Sequence, residues 1–234
     1  MKRKPSRGLF ITGTDTEVGK TYVASLLAQS LLASGLRVGV YKPTASGCRR
    51  EGGRLISRDA VQLWEAAGRP DSLEAVCPQP FEAPLAPHLA ARAEAKHIDP
   101  QLLSSGIGHW KAGSDIVLVE GAGGLMSPLA DQLYNADLAG ELGYPLLVVT
   151  PNVLGVINQT LQTLIAAATY RDGLHVAGIV LNDVDPERSD QSADSNREEL
   201  SARCVPPVLA HIRWGAKMLD EPVDWFALAG SVTS

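Results

Sequence analysis

The sequence predicts an α/β fold, a doubly wound, mainly parallel sheet with helices on both faces. Six short runs rich in Val, Ile and Leu recur along the chain, and they are apolar on both faces, as buried parallel strands require. Helical patterns lie between these runs, and this alternation favours right-handed crossovers between parallel strands. The composition agrees, because 45% of the 234 residues are hydrophobic but only 5% are aromatic, so the core must be mainly aliphatic.

The predicted elements can be placed one by one along the chain. Strands are expected at 8–12, 37–41, 115–120, 145–150, 176–181 and 207–212. Helices are expected at Lys20–Ala33, Asp59–Ala67, Val156–Tyr170 and Gln191–Arg203, with Gly35 after the first as its C-cap. The proline-rich segment 78–87 is predicted to be an ordered loop. No repeat or linker interrupts this order, so residues 1–234 are predicted to form a single domain, with 1–7 as a flexible basic tail.

Charge, hydropathy and cysteine usage limit the class of function. The net charge of −5 gives no sign of a nucleic-acid surface. No apolar run approaches the roughly 20 residues that a membrane-spanning helix needs, and no signal peptide is recognisable. The three cysteines are odd in number and far apart, which argues against a disulfide framework or a zinc site. We therefore expect a cytoplasmic protein with neither nucleic-acid nor membrane partners.

The stretch FITGTDTEVGKT, from Phe10 to Thr21, ends like a phosphate-binding loop. In the usual motif, G-x-x-x-x-G-K-[ST], the first glycine stands one residue later than Gly13 does here. A strand precedes the loop and a helix follows it, so backbone N–H groups and the helix N-terminus would face an anion. Lys20 would reach the outer phosphates, and Thr21 would place its hydroxyl on Mg²⁺. The sequence therefore predicts a P-loop NTPase type of fold that binds ATP and Mg²⁺.

Two acidic residues are candidates for the metal side of this site. Glu120 ends the apolar run DIVLVE, and an acid at the tip of a buried strand is well placed to hold Mg²⁺ opposite a phosphate loop. The glycines that follow it would let a ligand approach the backbone closely. Asp59 is either a second metal-side carboxylate or a helix N-terminal acid that the helix dipole favours.

Lys42 directly follows the second predicted strand, and Ser46 comes four residues later. In an open parallel sheet, ligands bind beyond the carboxyl ends of the strands, so residues that follow different strands are brought together. The predicted site therefore combines the residues after each strand, namely Gly13–Thr21, Lys42–Ser46, Glu120–Gly124, Pro151–Asn158 and Asn182–Asp183.

The motifs GTDTEVGKT, YKPTASG, VEGAGG, NADLA, LGVIN and LND occur in this order between Leu9 and Asp183. In order and spacing they resemble the dethiobiotin synthetases, ATP-dependent enzymes of biotin biosynthesis. The resemblance implies a cyclo-ligase in which one amine of 7,8-diaminopelargonic acid captures CO₂ as a carbamate. The carbamate oxygen takes the γ-phosphoryl group of ATP, and the second amine then closes the ureido ring of dethiobiotin, with release of ADP and phosphate.

The same resemblance assigns roles to individual residues. The implied catalytic residues are Lys42 and Lys20, and the implied metal contacts are Thr21, Asp59 and Glu120. ATP contacts are implied for Glu17, Val18, Gly19, Lys20, Thr21, Tyr22, Asp59, Glu120, Gly121, Ala122, Gly123, Asn182 and Asp183, with Asn182 on the adenine. Substrate contacts are implied for Thr16, Glu17, Ser46, Gly123, Leu154, Gly155 and Asn158.

Two further expectations concern how the substrate is held. A carboxylate inside an anion-binding loop suggests that Glu17 holds a nitrogen of the diamine beside the γ-phosphate. The resemblance implies that the helix near Val156 belongs to the neighbouring subunit and meets the substrate carboxylate at its N-terminus. We therefore expect a homodimer with its site near the subunit interface, and the contact is assigned to 154–158.

The chain departs from the family pattern in three places. Arg213 stands where these synthetases usually have proline close to the adenine, Ala86 replaces a common hydroxyl residue, and the segment after Trp214 is short. An amidoligase of corrinoid synthesis would need a glutamine-hydrolysing domain, for which the chain has no room. A partition-type switch ATPase would carry a signature lysine where Asp15 stands.

Overall fold

The computed structural model describes residues 7–187 and 190–230. The strands are β1 (Arg7–Gly13), β2 (Val38–Tyr41), β3 (Thr44–Ala45), β4 (Arg49–Glu51), β5 (Arg54–Ile56), β6 (Gln79–Pro80), β7 (Ile116–Gly124), β8 (Pro128–Ala130), β9 (Leu133–Tyr134), β10 (Leu146–Pro151), β11 (Val176–Asn182) and β12 (Val208–Ile212). The helices are α1 (Lys20–Ala33), α2 (Arg58–Ala66), α3 (Leu73–Val76), α4 (Pro87–Ala93), α5 (Pro100–Ser105), α6 (Ile107–Gly113), α7 (Asn135–Leu142), α8 (Val156–Thr169), α9 (Asn196–Arg203) and α10 (Trp225–Leu228). A 3₁₀ turn covers Gln191–Asp194.

The centre of the molecule is a six-stranded sheet in the order β12-β11-β10-β1-β7-β2. All of its strand pairs are parallel, which confirms the predicted fold class. Neighbouring residues of β11 enter different apolar clusters, since Val180 joins the main core and Leu181 packs with Val156 of α8 and Leu200 of α9. Because successive strand residues point to opposite faces, this split shows that the sheet is covered on both sides.

The predicted elements of the central sheet are confirmed, with small differences at their ends. The first helix has the predicted bounds, and α8 ends one residue earlier than expected. The predicted helix at 191–203 is wrong as one element, because Ser195 separates a 3₁₀ turn from α9. Strand β7 continues past Glu120 to Gly124, so the glycines expected to follow the strand are part of it.

Two terminal and connecting segments also differ from expectation. Residues 1–6 of the predicted tail lie outside the described residues, whereas Arg7 is not tail, because it begins β1. Its guanidinium donates to the carbonyl of Phe226 at 2.9 Å and lies 4.6 Å from the centre of that ring. The segment 78–87 is ordered, but Gln79 and Pro80 form β6 against β3, and Pro87 opens α4.

The direction of the strands decides where chemistry can occur. Because all six strands run the same way, their carboxyl ends meet at one edge, and Gly13, Tyr41, Glu120, Pro151 and Asn182 lie at or near it. Within the described residues, the helices are too short or too polar for any of them to cross a membrane.

Candidate active site

The end of strand β11 contacts the phosphate loop through Asn182. Gly19 caps the N-terminus of α1 with a positive φ of 90°, a conformation that favours glycine. A Cβ atom at Gly19 would lie 2.1 Å from Nδ2 of Asn182, so the position also excludes larger residues. The same Nδ2 donates to the carbonyl of Val18 at 3.0 Å. Asn182, for which an adenine contact was predicted, supports the phosphate loop in the structure.

Lys20, the first residue of α1, turns back over the loop. Its Nζ donates to the carbonyl of Asp15 at 2.9 Å, and only 7% of the residue is exposed. Burial lowers the pKa of Lys20 to about 8, against the opposing attraction of Glu120. A buried ammonium with a depressed pKa gains from a nearby anion, because an opposite charge restores its preference for the charged form.

Lys42 lies between two carboxylates at the edge of the sheet. Its Nζ is 2.6 Å from Oε1 of Glu120 and 3.2 Å from Oδ2 of Asp59, and the lysine is only 3% exposed. Burial opposes the charge, but the two carboxylates outweigh it and raise the pKa of Lys42. Lys42 is therefore positively charged at neutral pH, and its ammonium group lies between Glu120 and Asp59.

The residues present fit a magnesium ion. Glu120 is 1% exposed, and its Oε1 accepts from Thr21 Oγ1 at 2.8 Å, whereas its buried Oε2 has no hydrogen-bond partner among the described residues. An unsatisfied buried carboxylate oxygen beside a threonine hydroxyl is a suitable start for a cation site. No group of three or more His, Cys, Asp or Glu within ranges 7–187 and 190–230 could hold a metal alone. Mg²⁺ does not require one, because it commonly uses one or two carboxylates together with phosphates and waters.

The residues predicted to contact the diamine are exposed or half-buried. Thr16 and Glu17 are exposed, and Glu17 has a φ of 60°, which non-glycine residues rarely adopt. The other loop acid, Asp15, instead accepts from the backbone N–H of Thr16 at 2.7 Å. Ser46 is half-buried and directly follows β3, close in sequence to Lys42.

The residues predicted to bind the substrate carboxylate lie on the surface before and in α8. Gly155 caps this helix with a φ of 95°. Leu154, the residue before it, is 80% exposed. Asn158 is exposed in the first turn. The backbone N–H of Leu154 donates to the carboxylate of Asp190. Leu154 and Asn158 are therefore exposed, whereas Glu120 and Lys42 are buried.

A buried polar network lies beside Asn182, the residue predicted to contact the adenine, and the sequence did not reveal it. Oδ1 of Asp183 accepts from Nδ2 of Asn152 at 2.7 Å and lies 2.7 Å from Nε2 of His211. Asn196 donates to Oδ1 of Asn152 at 3.0 Å. Asp183 was predicted to contact ATP, and its carboxylate is held by protein side chains. The end of β11 is therefore joined to β12 and α9 by side-chain hydrogen bonds, although nothing in the local sequence pattern identified these partners.

Other predicted contacts flank the site. The Tyr22 hydroxyl donates to the carbonyl of Ala216, so this side chain binds the segment after β12. Arg213 directly follows β12 and is exposed. Gly121, Ala122 and Gly123 continue β7 beyond Glu120, where Gly123 has a positive φ of 81°.

Comparison with known proteins agrees with the geometry. A family model described as an AAA domain matches residues 7–221. The ATP-dependent dethiobiotin synthetase BioD of Rhodopirellula baltica is 43% identical over 215 residues, which cover 87% of this chain and 83% of the relative. The same enzyme of Anaeromyxobacter dehalogenans is 44% identical over 208 residues, covering 89% and 90%. BioD 1 of Escherichia coli O157:H7 is 39% identical over 181 residues, covering 77% and 80%.

Solved structures with low sequence identity share the fold. A ParA family ATPase from Chlorobium tepidum TLS matches with a TM-score of 0.52 and 16% identity, covering 89% of this chain and 84% of that one. The signal recognition particle receptor FtsY from Elizabethkingia anophelis gives 0.52 and 17%, covering 97% and 65%. These likenesses concern the fold alone, whereas the closer sequence relatives identify the family. The chain belongs to the family of the ATP-dependent dethiobiotin synthetases.

Proposed function

We propose that this chain joins CO₂ to 7,8-diaminopelargonic acid, with ATP and Mg²⁺, to give dethiobiotin, ADP and phosphate. One amine forms a carbamate with release of a proton, and the carbamate oxygen then takes the γ-phosphoryl group, with ADP as leaving group. The second amine attacks the carbonyl carbon of this mixed anhydride and releases phosphate. The observation that carries the proposal is the convergence of Lys20, Lys42 and Glu120 at the carboxyl edge of the sheet.

The central difficulty of this reaction is electrostatic, because a carbamate anion must approach a triphosphate. Lys20 lies in the phosphate loop and Lys42 lies beside Glu120, so two ammonium groups are fixed before either reactant binds. Such preorganised charge is most effective where negative charge shifts during transfer. The low exposure of both lysines strengthens their attraction for these anions.

The proposed metal ligands are Thr21, Glu120 and Asp59. When bound, Mg²⁺ would neutralise charge on the phosphate oxygens of ATP. In the free protein the same two carboxylates hold Lys42. Lys42 is thus kept charged and directed inward, and its Nζ can turn to the carbamate when the carboxylates take another partner.

The amines must lose a proton before they can react. A free alkyl amine has a pKa near that of lysine, about 10, so a neutral amine is scarce in water at pH 7. Nearby cations lower the pKa of such a group, and Lys20 and Lys42 would do so here. Lys20 and Lys42 therefore favour the neutral amine and also stabilise the carbamate anion that it forms.

The substrate ends are assigned to the exposed parts of the site. Glu17 holds one diamine nitrogen, and its φ of 60° fits a residue kept in a strained conformation for function. The N-terminus of α8, at 154–158, binds the substrate carboxylate across a homodimer interface. Asn182 contacts adenine, for which its buried Oδ1 is suited, because this atom lacks a hydrogen-bond partner in the described part of the chain. The compartment is the cytoplasm.

The test combines the protein, Mg-ATP, diaminopelargonate and labelled bicarbonate. Label in an acid-stable product, formed with one ADP, supports the proposed reaction. ADP formation that does not need the diamine would instead indicate a switch-type ATPase and contradict it.

A further inference from the structure

Strand β7 contains a bulge where it reaches the phosphate loop. Ile11 is level with Glu120 and Gly13 is level with Gly124, so β7 uses more residues than β1 over the same interval. The pairing of β7 with β2 has already ended at Val119. Residues 121–123 therefore leave the regular hydrogen-bond ladder between Glu120 and the start of the phosphate loop, and another group must satisfy their backbone.

Asn135, the first residue of α7, supplies that group. It is completely buried, and its Oδ1 accepts from the backbone N–H of Ala122 at 3.2 Å. Its Nδ2 donates to the carbonyls of Ala122 and Gly124, both at 2.8 Å. The amide thus replaces a neighbouring strand, because one side chain offers both an acceptor and donors to the bulge.

The bulge fits closely around this side chain. A Cβ atom at Gly121 would lie 2.6 Å from Oδ1 of Asn135, so a larger residue cannot be placed there without displacing the amide. Ser127 holds the far end, since its Oγ accepts from the backbone N–H of Gly124 at 2.9 Å. A Cβ atom at Gly124 would lie 3.3 Å from the carbonyl of Gly13, so the bulge also packs against the phosphate loop.

We propose that Asn135 is a positioning residue for ring closure. The proposal rests on the proposed function, in which Gly123 contacts the substrate and Glu120 binds the metal. Asn135 fixes the backbone between these two residues and so sets how the diamine lies relative to the γ-phosphate. If the bulge shifts, the mixed anhydride can still form, but the second amine is misaligned and water hydrolyses the anhydride to carbamate and phosphate.

The primary variant is Asn135→Asp, which keeps the shape and the acceptor but loses both donors. The measured quantities are kcat, the KM of diaminopelargonate, the Kd of Mg-ADP, and the phosphate released per dethiobiotin formed. We expect kcat for dethiobiotin to fall about 30- to 100-fold, because small misplacements have effects of this size. We also expect the phosphate-to-product ratio to rise above one-to-one, with the Kd of Mg-ADP nearly unchanged.

Gln79 offers a matched control. It is a buried amide whose Oε1 accepts from the backbone N–H of Asp99 at 2.7 Å and whose Nε2 donates to the carbonyl of the same residue at 3.0 Å. Gln79→Glu therefore breaks a similar two-bond ring away from the bulge. We expect it to lower the melting temperature but to leave kcat and the phosphate ratio as in the wild type.

Ser127→Ala is a milder variant of the same bulge, in case Asn135→Asp does not fold. It should raise the phosphate ratio in the same direction by a smaller factor. The proposal is overturned if the foldable bulge variants keep the wild-type ratio and kcat, or if Gln79→Glu changes both as much as they do. Failure of the wild-type protein to make any dethiobiotin would instead overturn the proposed function.

Discussion

The phosphate side of the site and the surface before α8 are built in opposite ways. Around Glu120, charged side chains are buried and already paired, with Lys42 only 2.6 Å from the carboxylate. Leu154, an apolar residue just before the N-terminus of α8, is 80% exposed. The first region is assembled within one chain before any ligand arrives. The second has the character of a surface that another molecule covers.

This difference separates two kinds of experiment. Changes on the phosphate side should affect chemistry in every molecule, whether or not it has associated. Changes before α8 should affect activity only through association and through the substrate carboxylate. Substitutions in the two regions therefore test this separation.

Lys42→Met should abolish most catalysis. The variant removes the fixed cation proposed to meet the carbamate, and we expect kcat to fall about 10³-fold, or about 4 kcal/mol in the barrier. It also leaves Glu120 and Asp59 without their lysine partner. Product formation under saturating substrates is the measurement. Lys111→Met is the control, because Lys111 is exposed and lies over the Tyr144 ring. Activity within about tenfold of the wild type would contradict the role given to Lys42.

Leu154→Glu should separate association from folding. The residue is exposed, so we expect the free energy of unfolding of the isolated chain to change by no more than about 0.5 kcal/mol. If Leu154 lies in a subunit interface, a charge there should cost association about 2 kcal/mol and lower kcat/KM for the diamine about 30-fold. Light scattering and kinetics on the same samples are the measurements.

Val205→Glu is the control for this variant. Val205 is also an apolar surface residue, at 98% exposure, but it has no proposed contact. It should leave both association and activity as in the wild type. A Leu154→Glu protein that is monomeric and fully active would refute the shared site.

ATP affinity should depend on pH through Lys20. Burial lowers its pKa to about 8 in the free protein, so its positive charge is progressively lost above pH 8. A bound triphosphate favours the charged form and raises this pKa, so binding takes up a proton at pH 8–9. We expect affinity to fall about tenfold for each pH unit above 8 until the pKa of the bound state is reached.

Calorimetry in two buffers with different ionisation enthalpies measures this proton uptake directly. Lys20→Arg gives the comparison, because arginine stays charged over the whole range and should give no uptake. An ATP affinity that does not change from pH 7 to 10 in the wild type would show that protonation of Lys20 is not coupled to nucleotide binding.

The same two regions show which parts of the fold and of the site could be predicted from the sequence. The phosphate side was predictable because each residue follows a strand, and parallel strands bring their ends together. Lys42 and Glu120 are 78 positions apart, yet they make a hydrogen bond. The six strands and helix α1 could be predicted equally well, because the short apolar runs and the loop motif indicated them.

The missed features depend on contacts between side chains and backbone, which leave no periodic pattern. Asn135 begins an eight-residue helix, and only the fold shows that its amide satisfies a bulge in β7. The network of Asp183 and His211 joins two strands through side chains that look unremarkable in sequence. Strands β4 and β5 are too short and exposed to show an apolar pattern.

Glu17→Gln should have the smallest effect, and it tests whether the exposed mouth of the phosphate loop contributes to diamine binding. An ion pair at an exposed position is worth about 0.2–1 kcal/mol, so we expect the KM of diaminopelargonate to rise about two- to fivefold. The KM of ATP should hardly change, because the Glu17 side chain is exposed and the loop hydrogen bonds made by Lys20 and Asn182 do not involve it. Asp15→Ala is the comparison, since it removes the carboxylate that accepts from the Thr16 backbone N–H within the loop. That variant should alter ATP binding more than diamine binding. An unaltered diamine KM in Glu17→Gln would leave this carboxylate without a substrate role and confine recognition to the buried side of the site.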